Sequence, residues 1–112
     1  MLIAIKEPNE KIAYKVVPEI TLEMLQELVG GYIEVYSTIA MQKINLVAII
    51  NEEGKLRGMT PNFWAIRDII VGPAVFVGRD GENFGSLTES QVNYLNRMFV
   101  KTRNREGWEE VK

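Results

Sequence analysis

Apolar residues recur along this chain at two spacings, every second residue as in strands and every three to four residues as in helices. Apolar residues fill Leu2–Ile5, and in residues 12–17 they alternate with other residues in the pattern of a half-buried strand. The turn residues Pro8–Glu10 lie between these two runs, so together they predict a hairpin. Alternation in residues 32–39 predicts another one-sided strand, and the more uniformly apolar run Ile44–Ile50 predicts a central strand.

Capping residues predict two main helices. Thr21 is a good N-cap before leucines at helical spacing, and Gly30–Gly31 ends that helix. Glycines that cradle a phosphate precede a helix, whereas this pair follows one, so the cap is the preferred interpretation. Thr88 and Gln91 have the spacing of a capping box, which begins the last helix. Its expected buried stripe is Val92, Leu95, Met98 and Phe99.

Turn residues predict the elements in the middle of the chain. Asn51–Gly54 fits a type I turn in which the glycine takes a positive φ. Residues 55–59 then return as a short strand. Thr60 is expected to cap a short helix that runs from Pro61 to about Ile66.

The remaining signals complete an α+β fold. Pro73 places a bulge or an edge position in the strand-like residues 69–77, and Asp80-Gly81 predicts a further hairpin. The element order predicts a mainly antiparallel sheet of hairpins, with two main helices and one short helix packed on one face. We expect a single domain over residues 1–112, in which the charged tail of residues 101–112 frays.

Composition narrows the chemistry that this chain can perform. It has no Cys and no His, which excludes disulfides, zinc–thiolate sites and Ser-His-Asp or Cys-His catalysis within one chain. Its 13 basic and 15 acidic residues give a net charge of −2, so no overall field attracts DNA or an anionic membrane. No apolar run approaches the ~20 residues of a membrane span. We therefore expect a cytoplasmic protein with no cofactor, no metal, no membrane association and no strong nucleic-acid binding.

Four short motifs stand out between residues 22 and 78. They are Gly30-Gly31 with Ile33-Glu34, Asn51–Leu56, Asn62, and Asp68 with Gly72. Together they resemble the domain of unknown function family 3846, small proteins of phages and mobile elements. In that family a basic residue usually follows the position of Asn62, where this chain has Phe63, and Arg67 is a candidate substitute one predicted helical turn later. The resemblance implies modulation of a host, without an established activity.

The segment of residues 62–68 carries the most varied chemistry. Asn62 and Asp68 offer hydrogen bonds, Trp64 offers a stacking face and Arg67 offers a fixed cation. These four residues are the predicted ligand- or partner-binding site, suited to a nucleotide or a polar peptide. In the competing interpretation, Phe63 and Trp64 lie in the core, while Arg67 and Asp68 form a local pair.

Two charged groups are further candidates. The carboxylates of Glu34, Glu52 and Glu53 could perform acid–base chemistry or bind a hard cation, or they could simply be solvated around a turn. A basic group near the C-terminus resembles a nucleic-acid patch, or equally a solvated helix end whose cations suit the helix dipole. Its members are Arg97, Lys101, Arg103 and Arg105.

These observations favour a non-enzymatic binding protein of phage or mobile-element type that modulates a host factor. A sponge for a small nucleotide-like ligand is the alternative, and an enzyme that relies on carboxylates and arginine is the second alternative. The partner would be a host protein or a small polar ligand. Open edges of a hairpin-rich sheet also allow a homo-oligomer.

Overall fold

A computed structural model describes residues 1–65 and 68–99 of the chain. Short strands make up most of its elements, and three helices are interspersed among them in the described residues. In chain order the elements are β1 (Leu2–Lys6), β2 (Ala13–Val16), α1 (Leu22–Val29), β3 (Ile33–Tyr36), α2 (Ile39–Lys43), β4 (Leu46–Asn51), β5 (Pro61–Ala65), β6 (Asp68–Val71), β7 (Ala74–Asp80), β8 (Asn83–Gly85) and α3 (Glu89–Met98).

Six of the strands form one antiparallel sheet. Its order is β2-β1-β7-β4-β3, and β8 pairs with the C-terminal end of β7. The strands β5 and β6 form a separate antiparallel hairpin. The predicted N-terminal hairpin is present, because Leu2 pairs with Val16 and Ile5 with Ala13. The α+β class with an antiparallel sheet is therefore confirmed.

Apolar side chains line both faces of the large sheet. Every residue of β4 is buried, since its alternate side chains enter two different layers. The helix α1 packs on one face, over a core that includes Ile3, Val47, Ile49, Val75 and Val77. The helix α3 and the β5–β6 hairpin cover the other face, around Ala4, Ala48, Ile50 and Phe76. The expectation that helices cover one face only is wrong, because a sheet that is apolar on both sides needs a layer on each.

Both main helices begin where the capping residues predict, and α1 also ends at its predicted glycine. The Thr21 hydroxyl accepts a hydrogen bond from the Met24 amide at 3.1 Å, and Gly30 ends α1 in the left-handed conformation at φ 81°. At the start of α3, Thr88 and Gln91 form the reciprocal bonds of a capping box. Local sequence is sufficient here because each cap satisfies amides within the same turn.

The structure corrects the predicted elements on either side of β4. The segment after Thr60 is the strand β5, and not a short helix, because it pairs with β6 along an antiparallel register. The strand predicted over residues 32–39 ends at Tyr36, and the short helix α2 follows it. Thr38 caps α2 by accepting a hydrogen bond from the Met41 amide at 3.1 Å, which is a signal that the alternating pattern obscured.

The turns differ from the prediction in their details. Gly54 does not adopt a positive φ, and no returning strand forms over residues 55–59, where the backbone turns up to Gly58. Gly54 is required for a different reason, since an added Cβ would lie 2.9 Å from a methyl group of Val71. Gly72 at φ 76° and Pro73 divide the predicted strand of residues 69–77 into β6 and β7. Gly81, at φ 65°, forms the predicted hairpin turn.

The predicted tail of residues 101–112 lies outside the described residues, and the single-domain assignment stays a prediction. Across residues 1–65 and 68–99, no helix is long and apolar enough to cross a membrane.

Replacing Phe99 tests the packing of α3. Phe99 is buried, and its ring lies 5.0 Å from that of Phe63 and 5.6 Å from that of Phe76. We expect Phe99→Ala to lower the free energy of unfolding by about 3–5 kcal/mol in urea melts. Thr88→Ala should cost about 1 kcal/mol through its cap. Asn93→Ala, at an exposed position of α3, is the control, and a Phe99 variant as stable as this control would contradict the packing.

Candidate functional site

Asn62, one of the four predicted site residues, is a buried structural link. Its side chain donates to the carbonyl oxygens of Lys6 at 2.7 Å and Gly72 at 2.8 Å. Its Oδ1 accepts from the Lys6 ammonium at 3.0 Å. Because Asn62 is fully buried, it ties the β5–β6 hairpin to β1 and has no surface to offer a ligand.

Lys6 is the unexpected partner in this link. The side chain is fully buried, and its ammonium also donates to the carbonyl oxygen of Glu7 at 2.8 Å. The ammonium lies 5.9 Å from the centre of the Phe99 ring, within the range of a cation–π contact. Sequence reasoning missed Lys6, although its place two residues after the buried Ala4 puts it on the same face of β1.

Trp64 and Phe63 divide between surface and core. Phe63 is buried, as the competing interpretation expects, whereas Trp64 is 52% exposed on the outer face of the β5–β6 hairpin. There Trp64 lies opposite Ile69. Arg67, the predicted cation of this group, lies outside the described residues.

Asp68 lies at the start of β6 in an ion pair that was not predicted. Its Oδ1 accepts hydrogen bonds from the Lys55 ammonium and from the Ile69 amide. The Lys55 hydrogen bond, followed by the amide, lowers the pKa of Asp68. Both side chains are about half exposed, so the pair orients the groups more than it stabilises the fold.

A groove of about 190 Å³ lies beside this ion pair. One side is the face of β3 and β4 with Glu34 and Tyr36, and the other is β6. Residues of the β4–β5 loop close one end, among them Glu52, Lys55 and Leu56. Of the four predicted site residues, Asp68 lines the groove and Asn62 and Trp64 do not. The structure therefore brings Asp68 together with two of the predicted carboxylates, Glu34 and Glu52.

The motifs of the family resemblance build the wall of this groove. The Asn51 side chain donates to the Val29 carbonyl oxygen at 3.0 Å and accepts from the Glu53 amide at 2.7 Å, which joins the loop to the end of α1. A Cβ added to Gly31 would lie 3.0 Å from the side-chain nitrogen Nδ2 of Asn51, which is a tight approach. The Arg57 guanidinium donates to the Gly30 carbonyl oxygen at 2.8 Å. Much of the signature therefore serves to position the β4–β5 loop.

The pKa values of two groove residues, Tyr36 and Asp68, are shifted further from pH 7. Burial, followed by the negative charge of Asp68, raises the pKa of Tyr36. The pKa of Asp68 moves downward, as its hydrogen bonds favour the charged form. Efficient acid–base catalysis needs a pKa near the working pH, and both shifts move these two groups further from it.

The other charged candidates are dispersed. Glu53 lies at a separate surface depression with Tyr32 and Arg57. The Arg97 guanidinium lies 6.0 Å from the centre of the Tyr94 ring, while the other three basic residues of that group are outside the described ones. In residues 1–65 and 68–99, no cluster of three or more carboxylates is placed to hold a metal ion.

Comparison with known proteins gives a family and no closer relative. The family model described as Domain of unknown function (DUF3846) matches residues 1–100. The match extends beyond the motifs between residues 22 and 78 to include β1, β2 and α3. No curated protein and no solved structure shows significant similarity to the chain.

Replacing Asn62 and Trp64 separately tests whether the first is buried in the core and the second lies at the surface. Asn62→Ala removes a side-chain donor from the buried carbonyl oxygens of Lys6 and Gly72 and an acceptor from the Lys6 ammonium, so we expect a loss of about 2–3 kcal/mol in the free energy of unfolding. Trp64→Ala should cost less, because half of the side chain is already in water. Urea melts measure both. A larger loss for Trp64→Ala would mean that this side chain belongs to the core.

Titration of Tyr36 tests its electrostatic interaction with Asp68. Removing the charge with Asp68→Asn should lower the pKa of Tyr36 part of the way to its ordinary value, as followed by NMR. Tyr14, whose pKa is raised by burial alone, should not respond and is the matched control. Because folding raises the pKa of Tyr36, the folded state favours its protonated form. The contribution of this protonation to stability is fully present at pH values below the pKa that Tyr36 has in the unfolded chain. It is lost as pH rises through the folded value.

Proposed function

The chain belongs to the domain of unknown function family 3846, and from that premise we propose that it is a non-enzymatic binding protein whose groove engages a protein partner. The groove meant here is the one between β3, β4 and β6, closed by the β4–β5 loop.

Leu56 is the observation that carries this proposal. It is 89% exposed and lines the groove, although a leucine of this kind gains about 1.5–3 kcal/mol when it is fully buried. The loop that carries Leu56 is held by local backbone hydrogen bonds, including those from Arg57 to Glu53 and from Met59 to Gly54, both 2.9 Å. An exposed leucine on a hydrogen-bonded loop beside a groove supports the proposal that a partner covers this side chain when it binds.

The charges of the groove favour a protein over a nucleotide. Among residues 1–65 and 68–99, its lining includes the carboxylates of Glu34, Glu52 and Asp68 and one cation, Lys55, which Asp68 already engages. A phosphate would meet net repulsion here. With Asn62 buried, the predicted nucleotide site also loses the amide on which it relied.

The biological setting implied by the family resemblance points to the kind of partner. Proteins carried by phages and mobile elements act inside a host cell, so we propose that the partner is a host factor whose activity is changed when the groove is occupied. This role needs surface complementarity and no chemical step.

Photo-crosslinking from the groove tests the proposal. We expect p-benzoylphenylalanine in place of Leu56 to give a discrete crosslinked product in host cells. The same amino acid in place of Val16 is the matched control, because Val16 is also apolar and exposed, at 77%, but lies on β2 at the opposite edge of the sheet. Equal crosslinking from both positions, or none from the groove, would contradict a binding role for this surface.

A further inference from the structure

The strand β3 leaves one side of its backbone open beside the groove. It is the last strand of the large sheet, and among residues 1–65 and 68–99 it pairs with β4 alone. An edge of this kind offers unpaired amides and carbonyls to an added strand. The exposed Val35 adjoins the groove residues Glu34 and Tyr36 along the same strand.

The pairing register identifies which backbone groups face outward. The Glu52 amide donates to the Tyr32 carbonyl oxygen at 2.9 Å, so these opposed residues form a hydrogen-bonded pair. Hydrogen-bonded and non-hydrogen-bonded pairs alternate along an antiparallel ladder. Glu34 and Tyr36 therefore bond to β4, and the amides and carbonyls of Ile33 and Val35 point away from the sheet.

We propose that the groove takes an extended peptide of alternating basic and apolar residues, which pairs with β3 as an additional strand. This inference rests on the proposed binding function and names the chemistry of the partner. The outward backbone groups of Ile33 and Val35 would bond to the peptide backbone. Opposed side chains on one face of paired strands lie about 4.5–5.5 Å apart at their Cβ atoms, so alternate peptide residues would lie beside Glu34 and Tyr36.

Charge selects the basic residues of this peptide. Glu34 and Glu52 have no ion pair with a described residue, as Lys55–Asp68 is the single pair found there. A lysine or arginine beside Glu34 would meet these carboxylates, while the intervening apolar side chains would cover Val35, which is 39% exposed. A second copy of the chain fits less well, because it would bring the same carboxylates to the same edge.

The opposite edge of the sheet provides a matched comparison. There the Val17 amide donates to the Met1 carbonyl oxygen at 2.8 Å, and the same alternation directs the backbone of Val16 outward. That edge strand, β2, carries Lys15 in place of a carboxylate. An open backbone is therefore present at both edges, but of these two edge strands β3 carries a carboxylate, Glu34, and β2 does not.

Fluorescence anisotropy with a labelled, end-blocked peptide of alternating lysine and valine tests the proposal. We expect saturable binding that weakens as salt is added and is absent for the corresponding glutamate–valine peptide. Glu34→Lys should weaken binding at least tenfold. Val35→Pro should do the same, since it removes an outward amide without breaking a bond to β4, whereas Val16→Pro should leave binding unchanged.

A peptide carrying N-methyl groups on alternate amides keeps the test independent of how the variants fold. On the unmodified protein, one of its two methylation registers should lose binding. Equal binding by both registers, or an equal effect of the Val35 and Val16 prolines, would overturn strand addition. Self-association that Val35→Pro abolishes, measured by light scattering, would also overturn it in favour of a second copy. If crosslinking from Leu56 succeeds while the peptide fails, the binding role stands and the peptide chemistry is wrong.

Discussion

The buried hydrogen bonds of Asn62 are the constraint on which the rest of the site depends. They join β5 to the backbone of β1 and to the turn between β6 and β7. These directional bonds fix the position of the small hairpin, whose strand β6 forms one side of the groove, against the large sheet. Burial of an amide is tolerated here because both of its hydrogens and its oxygen have partners.

Lys6 completes the same link at a higher electrostatic cost. A buried ammonium is stable only when hydrogen bonds and other contacts replace its water, and here the acceptors include Asn62 Oδ1 and the Glu7 carbonyl oxygen. Packing alone would bring the hairpin to the sheet through Phe63, Phe76 and Phe99. The polar link adds one specific register to that contact, because an apolar core tolerates small displacements more readily than a set of directional bonds does.

The groove itself is a product of unequal coverage. The β5–β6 hairpin and α3 cover the centre of one sheet face, but the edge strand β3 extends beyond them, so Glu34 and Tyr36 remain beside an opening. The β4–β5 loop closes one end because Asn51 and Arg57 attach it to the end of α1. Recognition is thereby placed at an open strand edge, where backbone and side chains can both take part.

The sequence by itself determined the features that depend on neighbouring residues. Caps, periodicity and turn residues within a few positions of each other account for both ends of α1, the start of α3, the N-terminal hairpin and the turn at Gly81. The same local reasoning made residues 61–66 a helix, because it could not weigh the pairing with β6. The tertiary structure alone decided that Asn62 is buried, since its partner Lys6 lies 56 residues away. It alone placed Glu34, Lys55 and Asp68 around one groove, because the proximity of distant segments depends on how the sheet and hairpin pack and on no local pattern.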